Sequence, residues 1–260
     1  MKVNKTRLAD LNSVVDENLV HRGSDREGDI LVLDYAGIRV LTFGSIYEQS
    51  AYYPDRPFAH VHEYTRAMMM VLGFLIPRHI TLLGLGGGTL LRIAHHYLPS
   101  CHFHVIERRP AVYDIAKNYF SIPDEPSVQV SIGDALSHLE ILEPSSTDII
   151  FSDLYDEHGA SPVQTELPFY RGCARALTST GWLVINCGHL PEKGSTFLEF
   201  LNDYFAEIKV CRCAFGNRIV FACKSPSVSY EHAEKRLTRM EEAFNEPYVS
   251  LFRRLAPVPA

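Results

Sequence analysis

Short apolar runs and amphipathic segments take turns through the middle of this 260-residue chain. The runs HITLLGLG, CHFHVIE and TDIIFSD have the length of buried strands. The segments GTLLRIAHHYL and PAVYDIAKNYF, which lie between strand-like runs, have the apolar spacing of helices that pack on one face. Alternating strands and helices form a parallel sheet covered on both sides. The pattern therefore predicts a doubly wound α/β fold.

The two ends of the chain follow different patterns. ENLVHRGS, GDILVLDYAG and IRVLTFG are short β-rich runs separated by turn residues, and they predict a small N-terminal antiparallel sheet. Residues 63–76 have helical spacing and are followed by Pro77, which predicts a helix that ends there. Further on, AEIKVCRCAFGNRIVFACKS predicts two antiparallel strands at one edge of the main sheet. The stripe of Leu237, Met240 and Phe244 predicts a helix packed on the body or on a second subunit.

The charge balance limits the classes of partner. The net charge is −6, with 46% hydrophobic and 22% charged residues, as in an ordinary soluble protein. Phosphate binding requires a basic field, so this balance argues against nucleic acid or an anionic membrane as the main partner. A small cationic substrate fits it better.

The cysteines and the apolar segments indicate a cytoplasmic protein. The first residues contain no apolar core of signal-peptide length, and the apolar stretch AMMMVLGFLI is too short to span a bilayer. Six cysteines occur without a CxxC pair, and most lie in apolar, strand-like contexts. We therefore expect reduced thiols in a core.

A glycine turn carries the first candidate chemistry. LLGLGGGTLLR places Gly84, Gly86 and Gly88 between a strand and a helix, where the backbone can approach a ligand at the positive end of the helix. Glu107 closes the next strand and can accept hydrogen bonds from ribose hydroxyls. A glycine turn alone also serves tight packing, but with the strand, the helix and the acid it predicts a nucleoside-type cofactor.

Acidic residues follow the next two strands as well. Asp134 is either a ligand for an adenine amino group or the cap of the helix after it. Asp153 and Asp156 stand three apart after the strand TDIIFS. Turn or cap roles would suit both, but grouping like charges costs energy that a cation or a proton would offset. We expect both to face the cofactor, because ligands lie over the carboxyl ends of such strands.

Metal and hydrolytic sites are not predicted. The pairs His60 with His62 and His102 with His104 would each share a face of a strand, but the sequence places no third ligand beside them. The chain has no GxSxG, HExxH or P-loop sequence, which argues against hydrolase and phosphoryl-transfer chemistry.

Together these residues resemble the spermidine synthase (polyamine aminopropyltransferase) family. The similarity runs from the β-rich start to about Ser225 and includes GDILVLDYAG, SIYEQSAYY, LLGLGGGTLLR, VIERRP, IGDA and SDLYDEHG. It implies a Rossmann-like fold of the adenosylmethionine-dependent transferase type. It also implies transfer of an aminopropyl group from decarboxylated S-adenosylmethionine to a diamine such as putrescine, with release of methylthioadenosine. The resemblance implies a homodimer and no prosthetic group.

The resemblance also implies roles for single residues. Gly84, Gly86 and Gly88 would form the donor-binding turn, with Glu107 on the ribose and Asp134 on the adenine amino group. On the acceptor side, the resemblance implies Asp153 as catalytic acid/base, Asp156 holding the diamine and Tyr47 lining the substrate channel. Gln49, near Tyr47, would belong to the donor-binding residues. The domains would be a β-rich one over 1–62, the catalytic one over 63–225 and a helical tail over 226–260.

Two departures from the family keep other functions open. The family's turn usually reads GGGDGG, and its aspartate, which gathers the aminopropyl amine, is Gly87 here. A glutamine of the N-terminal sheet corresponds to Gly28. A methyltransferase that uses intact S-adenosylmethionine is therefore one alternative, and a non-catalytic nucleoside-binding protein is another.

Overall fold

The computed structural model describes residues 17–44, 48–156, 159–188, 190 and 192–258, with only the backbone of residue 156. The strands are β1 (Leu19–Asp25), β2 (Gly28–Tyr35), β3 (Ile38–Thr42), β4 (Glu48–Tyr52), β5 (His79–Leu83), β6 (His102–Glu107), β7 (Val128–Ile132), β8 (Thr147–Ser152), β9 (Tyr155–Asp156), β10 (Gly159–Ala160), β11 (Leu177–Cys187), β12 (Glu207–Arg212), β13 (Arg218–Cys223) and β14 (Ala256–Pro257). The helices are α1 (Glu63–Met69), α2 (Thr89–Tyr97), α3 (Pro110–Tyr119), α4 (Ala135–Ile141), α5 (Leu167–Ala176), α6 (Thr196–Tyr204), α7 (Tyr230–Phe244) and α8 (Tyr248–Phe252).

The main sheet has the predicted mostly parallel order. Within the described residues its strands run β14-β12-β13-β11-β8-β5-β6-β7. The five from β11 to β7 are parallel to their neighbours, whereas β13, β12 and β14 pair antiparallel at the far edge. The chain moves outward from β5 to β7 and then returns to the other side of β5 at β8. Such a reversal opens a crevice over the carboxyl ends of β5 and β8, where ligands bind in folds of this type.

Alternate residues of each central strand serve two separate cores. Phe151 of β8 packs in a cluster with residues of α1, α2, α7 and α8, and its neighbour Ile150 packs on the opposite face with residues of α4, α5 and α6. This is the two-residue period of a strand that is buried on both sides. The strand ends are therefore held rigidly by helices above and below the sheet.

The N-terminal strands form an antiparallel sheet in the order β1-β2-β3-β4, as predicted. Ile30, Val32 and Leu41 of this sheet pack against Val112 and Ile115 of α3. This contact places β4 beside the glycine turn of the main sheet.

The predicted helix over 63–76 is shorter than expected. The α-helix ends at Met69, and a 3₁₀ turn (Met70–Gly73) follows. Gly73 lies directly against α7, where an added Cβ would be 2.9 Å from the carbonyl oxygen of Ala233. The tighter turn accommodates this contact with α7. The sequence of residues 63–76 does not by itself indicate the contact. Leu237 and Met240 of α7 are buried in the main core, as the apolar stripe predicted.

None of the helices in the described part of the chain is long and apolar enough to cross a membrane.

Candidate functional site

Four of the predicted site residues lie along one rim of the main sheet. Gly84, Glu107, Asp134 and Asp153 lie at or just beyond the carboxyl ends of β5, β6, β7 and β8. Backbone hydrogen bonds tie these ends together: Gly133 N donates to Glu107 O over 2.9 Å, and Asp153 N donates to Leu83 O over 3.0 Å. The four neighbouring strands thus bring the glycine turn, Glu107, Asp134 and Asp153 to the same edge of the sheet.

The glycine turn depends on glycine at two positions. Gly84 has a φ of +90°, and a Cβ there would lie 2.5 Å from the carbonyl oxygen of Asp153. Gly88 has a φ of +68° and precedes the first residue of α2, and a Cβ there would lie 2.2 Å from a side-chain methyl of Ile122. Only glycine adopts this backbone without strain at such close range. The turn therefore lies in direct contact with the segment that carries Asp153.

Gly87 occupies a filled position. An added Cβ there would lie 2.7 Å from Ser50 Oγ and 2.8 Å from a ring carbon of Phe120. A side chain larger than hydrogen requires β4 or the residue after α3 to move. The missing aspartate of the turn is thus replaced by packing, and the space that its side chain would need is taken.

Glu107 is built into the turn. It is 7% exposed, and its oxygens accept hydrogen bonds from Leu85 N at 3.0 Å and from Arg109 N at 2.8 Å. Burial raises the pKa of Glu107, and these amide donors counteract part of the rise. A carboxylate has about four lone-pair sites, so oxygen capacity remains for a further donor such as a ribose hydroxyl.

Asp134 is an exposed helix cap. Its Oδ1 accepts a hydrogen bond from Ser137 N at 3.0 Å at the start of α4. The capping role that the sequence left open is therefore present. Its adenine-binding role stays a prediction.

Asp153 has the surroundings of a proton acceptor. The side chain is partly buried, and its Oδ1 accepts a hydrogen bond from Asn186 Nδ2 at 2.8 Å. The hydroxyl of Tyr64 donates a second one. Burial raises the pKa of Asp153 to about 6, although both donors oppose the rise. The carboxyl group therefore changes protonation near neutral pH, as a general base must.

The hydrogen bonds continue behind Asp153. Asn186, on β11, is 1% exposed, and its Oδ1 accepts a hydrogen bond from Asn217 Nδ2 at 3.1 Å. The side chain of Asn217 is also hydrogen-bonded to Tyr155, whose pKa burial raises further above its usual range. A polar network thus runs from α1 through Asp153 to the turn before β13.

Some predicted residues are not described. Tyr47 and the side chain of Asp156 lie outside the described residues. Gln49 is on β4, and its carbonyl oxygen would lie 3.9 Å from a Cβ at Gly86, so the strand runs along the glycine turn. These three assignments stay predictions.

Sequence reasoning missed Tyr64, Asn186 and Asn217. Each lies on a different element, far from Asp153 in the sequence, and none belongs to a motif. Asn186 alone offered a signal, since it interrupts the apolar run GWLVINC with a polar residue that must find a partner when buried.

Histidine contributes no metal site in the described part of the chain, where no group of three or more metal-binding side chains occurs. His60 is buried, with its ring nitrogens 2.8 Å from Thr65 Oγ1 and 2.7 Å from Tyr248 Oη. Burial lowers the pKa of His60 well below its usual value, so it is a neutral core residue.

Comparison with known proteins finds a family model, a relative of similar sequence and solved structures of similar fold. Residues 61–214 match the family model described as the spermine/spermidine synthase domain. A polyamine aminopropyltransferase from Neisseria meningitidis serogroup A is 30% identical over 237 residues, which cover 89% of each chain. A probable spermidine synthase from Corynebacterium glutamicum superposes with a TM-score of 0.72 at 21% identity, over 84% of this chain and 85% of that one. Human methyltransferase-like protein 13, in complex with SAH, has a TM-score of 0.62 at 21% identity, over 71% of this chain and 93% of that one.

Proposed function

Since this chain belongs to the spermine/spermidine synthase family, we propose that it transfers an aminopropyl group from decarboxylated S-adenosylmethionine to a diamine such as putrescine. The single observation that carries the proposal is the setting of Asp153, which lies against the glycine turn with two hydrogen-bond donors and a pKa of about 6. The net charge of −6 agrees with a cationic substrate.

The chemistry needs a base more than an activated leaving group. The donor sulfonium already leaves readily, whereas an alkyl ammonium of pKa about 10 must lose a proton at a cost of roughly 4 kcal/mol at pH 7. The freed nitrogen lone pair forms a bond to the propyl carbon, the bond from that carbon to sulfur breaks, and its electron pair stays on the sulfur of methylthioadenosine. Asp153 takes the ammonium proton.

The surroundings of Asp153 support this role. The rise of its pKa from 3.8 to about 6 lowers the free-energy cost of proton transfer from the ammonium group to Asp153 by roughly 3 kcal/mol. Tyr64 and Asn186 hold the carboxylate in one orientation, which favours in-line attack because the reacting groups are ordered before the reaction begins. Asp156 would hold the distal ammonium of the diamine, and Tyr47 would line its channel.

The donor would bind across the adjacent strand ends. The glycine turn of Gly84, Gly86 and Gly88 would receive its sulfur-bearing portion. Glu107 would accept from the ribose hydroxyls and Asp134 from the adenine amino group, with Gln49 of β4 beside the turn.

Mass spectrometry of the products tests the proposal. The purified protein is mixed with decarboxylated S-adenosylmethionine and a panel of diamines of different chain length. We expect methylthioadenosine together with an amine heavier by one aminopropyl group. Absence of both products with every diamine, from a protein that binds methylthioadenosine, would contradict aminopropyl transfer.

The packing at Gly87 favours methyl transfer as a second candidate. Because Ser50 and Phe120 leave too little room for a Cβ at Gly87, the glycine turn offers no anion to the amine of a decarboxylated donor. Intact S-adenosylmethionine carries its own carboxylate and needs no such anion. Production of adenosylhomocysteine instead of methylthioadenosine, when each donor is supplied with a panel of amines, would select this candidate.

A further inference from the structure

We infer that Asn217 is a positioning residue for Asp153, acting through Asn186. The inference deepens the proposed function, because it rests on Asp153 as the proton acceptor. Asn217 precedes β13, Asn186 lies on β11 and Asp153 follows β8, so the three residues line up across neighbouring strands.

The orientation of the Asn186 amide determines whether Asp153 faces a hydrogen-bond donor or an acceptor. One end of an asparagine amide donates hydrogen bonds and the other accepts them. With its nitrogen toward Asp153, Asn186 stabilises the carboxylate. With the amide reversed, its oxygen would face the carboxylate and repel it.

Asn217 fixes the favourable orientation. Its Nδ2 donates to Asn186 Oδ1 at 3.1 Å, which leaves Asn186 Nδ2 to donate to Asp153 Oδ1 at 2.8 Å. Asn186 is 1% exposed, so water does not supply alternative partners and the amide follows its protein contacts. Tyr155 in turn is hydrogen-bonded to the side chain of Asn217.

The other groups around Asp153 do not replace the hydrogen bond from Asn186. Tyr64 reaches Asp153 from α1, and Glu48 of β4 acts electrostatically on Tyr64. Tyr155 approaches from β9, with the thiol of Cys187 near it. Both phenols stay neutral near pH 6, because burial raises the pKa of each further above its usual range. Asn186 and Tyr64 are therefore the described side chains that stabilise the charged form of Asp153 by hydrogen bonding.

Two variants of Asn217 test the positioning role. Asn217→Asp replaces the donor with an acceptor, and Asn217→Ala removes the donor without adding charge. Either change frees the Asn186 amide to turn, so Asp153 loses a hydrogen bond to its charged form. We expect the titration midpoint of Asp153 to rise by about one pH unit in Asn217→Asp and by less in Asn217→Ala. Asn202→Asp, an exposed position on α6, makes the same chemical change elsewhere and should leave the midpoint unchanged.

The midpoint is measured by NMR on protein labelled with ¹³C at the aspartate carboxyl carbons, with the Asp153 signal assigned by its loss in Asp153→Asn. The acidic limb of the kcat/KM profile should move upward together with this midpoint, which a merely structural role would not cause. If Asn217→Asp does not fold, Asn217→Ala carries the test alone. An unchanged midpoint in Asn217→Ala, or an equal shift in Asn202→Asp, would overturn the inference.

The two proposals fail in distinguishable ways. If the native protein forms methylthioadenosine but the titration midpoint of Asp153 is the same in the Asn217 variants, the positioning role is wrong and the transferase activity stands. If the midpoint shifts as expected but no aminopropyl product forms, the contact from Asn217 is correct and the proposed reaction is not.

Discussion

At the scale of single residues, Asp134 and Asp153 show how the surroundings give one side chain two uses. Asp134 is exposed and accepts a hydrogen bond from the backbone of Ser137, which satisfies the start of α4. Asp153 follows β8, three strands along the sheet from β7, where burial raises its pKa to about 6 and Asn186 and Tyr64 hold it. Both aspartates follow strands in similar sequence settings. The difference comes from the neighbours that the fold supplies.

Replacing Asp153 by asparagine should separate catalysis from binding. The amide keeps the shape of the side chain but cannot take a proton, so we expect transfer to fall by about 10²–10⁴-fold, the usual contribution of a general base. Methylthioadenosine, which carries no ammonium group, should bind with nearly unchanged affinity by calorimetry. Asp203→Asn, at an exposed position on α6, is the matched control. Full turnover in Asp153→Asn would refute the role.

Replacing Glu107 by alanine should weaken nucleoside binding. The change removes acceptors for the ribose and leaves Leu85 N and Arg109 N without their present partners. Hydrogen bonds to a charged group contribute about 1.5–3 kcal/mol, which corresponds to roughly a 10–100-fold loss of affinity for methylthioadenosine in a calorimetric titration. Glu140→Ala, exposed on α4, should change nothing. Equal affinities in the two variants would rule out the ribose assignment.

At the scale of elements, the glycine turn and the segment after β8 behave as one unit. Gly84 packs against the backbone of Asp153 so closely that the position of Asp153 depends on the turn. β4 closes the other side of the turn, with Ser50 against Gly87. The turn is thus packed against both the segment after β8 and the N-terminal sheet.

Gly84→Ala should cost more stability than its backbone angle alone explains. A positive φ at a residue other than glycine costs about 1–3 kcal/mol. Gly37→Ala is a matched control, because Gly37 has a φ of +78° and no atom within 4 Å of an added Cβ. Gly84→Ala adds the clash with Asp153 O, so its free energy of unfolding in urea should fall further than that of the control. Equal decreases in the free energy of unfolding would mean that the close approach of Gly84 to Asp153 O does not contribute to stability.

At the scale of the whole molecule, the sequence predicts the architecture better than the details of the site. The alternating pattern, the glycine turn and the acids after successive strands led to the fold class and the family, and both predictions are confirmed. These features are local in sequence, and a parallel sheet places its strand ends together without further information. Tyr64, Asn186 and Asn217 could not be predicted as partners of Asp153, because their meeting depends on the packing of α1 and on the order β13-β11-β8. For the same reason the contact of α7 that accompanies the early end of α1 was not visible in residues 63–76.

The short strand β14 has a consequence for solubility. It covers the outer side of β12 at Lys209 and Val210, and one of its two residues is Pro257, which has no amide hydrogen to offer to a further strand. Removing residues 256–260 would uncover the hydrogen-bonding groups of β12, and we expect such a protein to self-associate edge to edge, as seen by light scattering against a control that lacks only residues 259–260. A proline at the margin of the sheet would thus guard against aggregation.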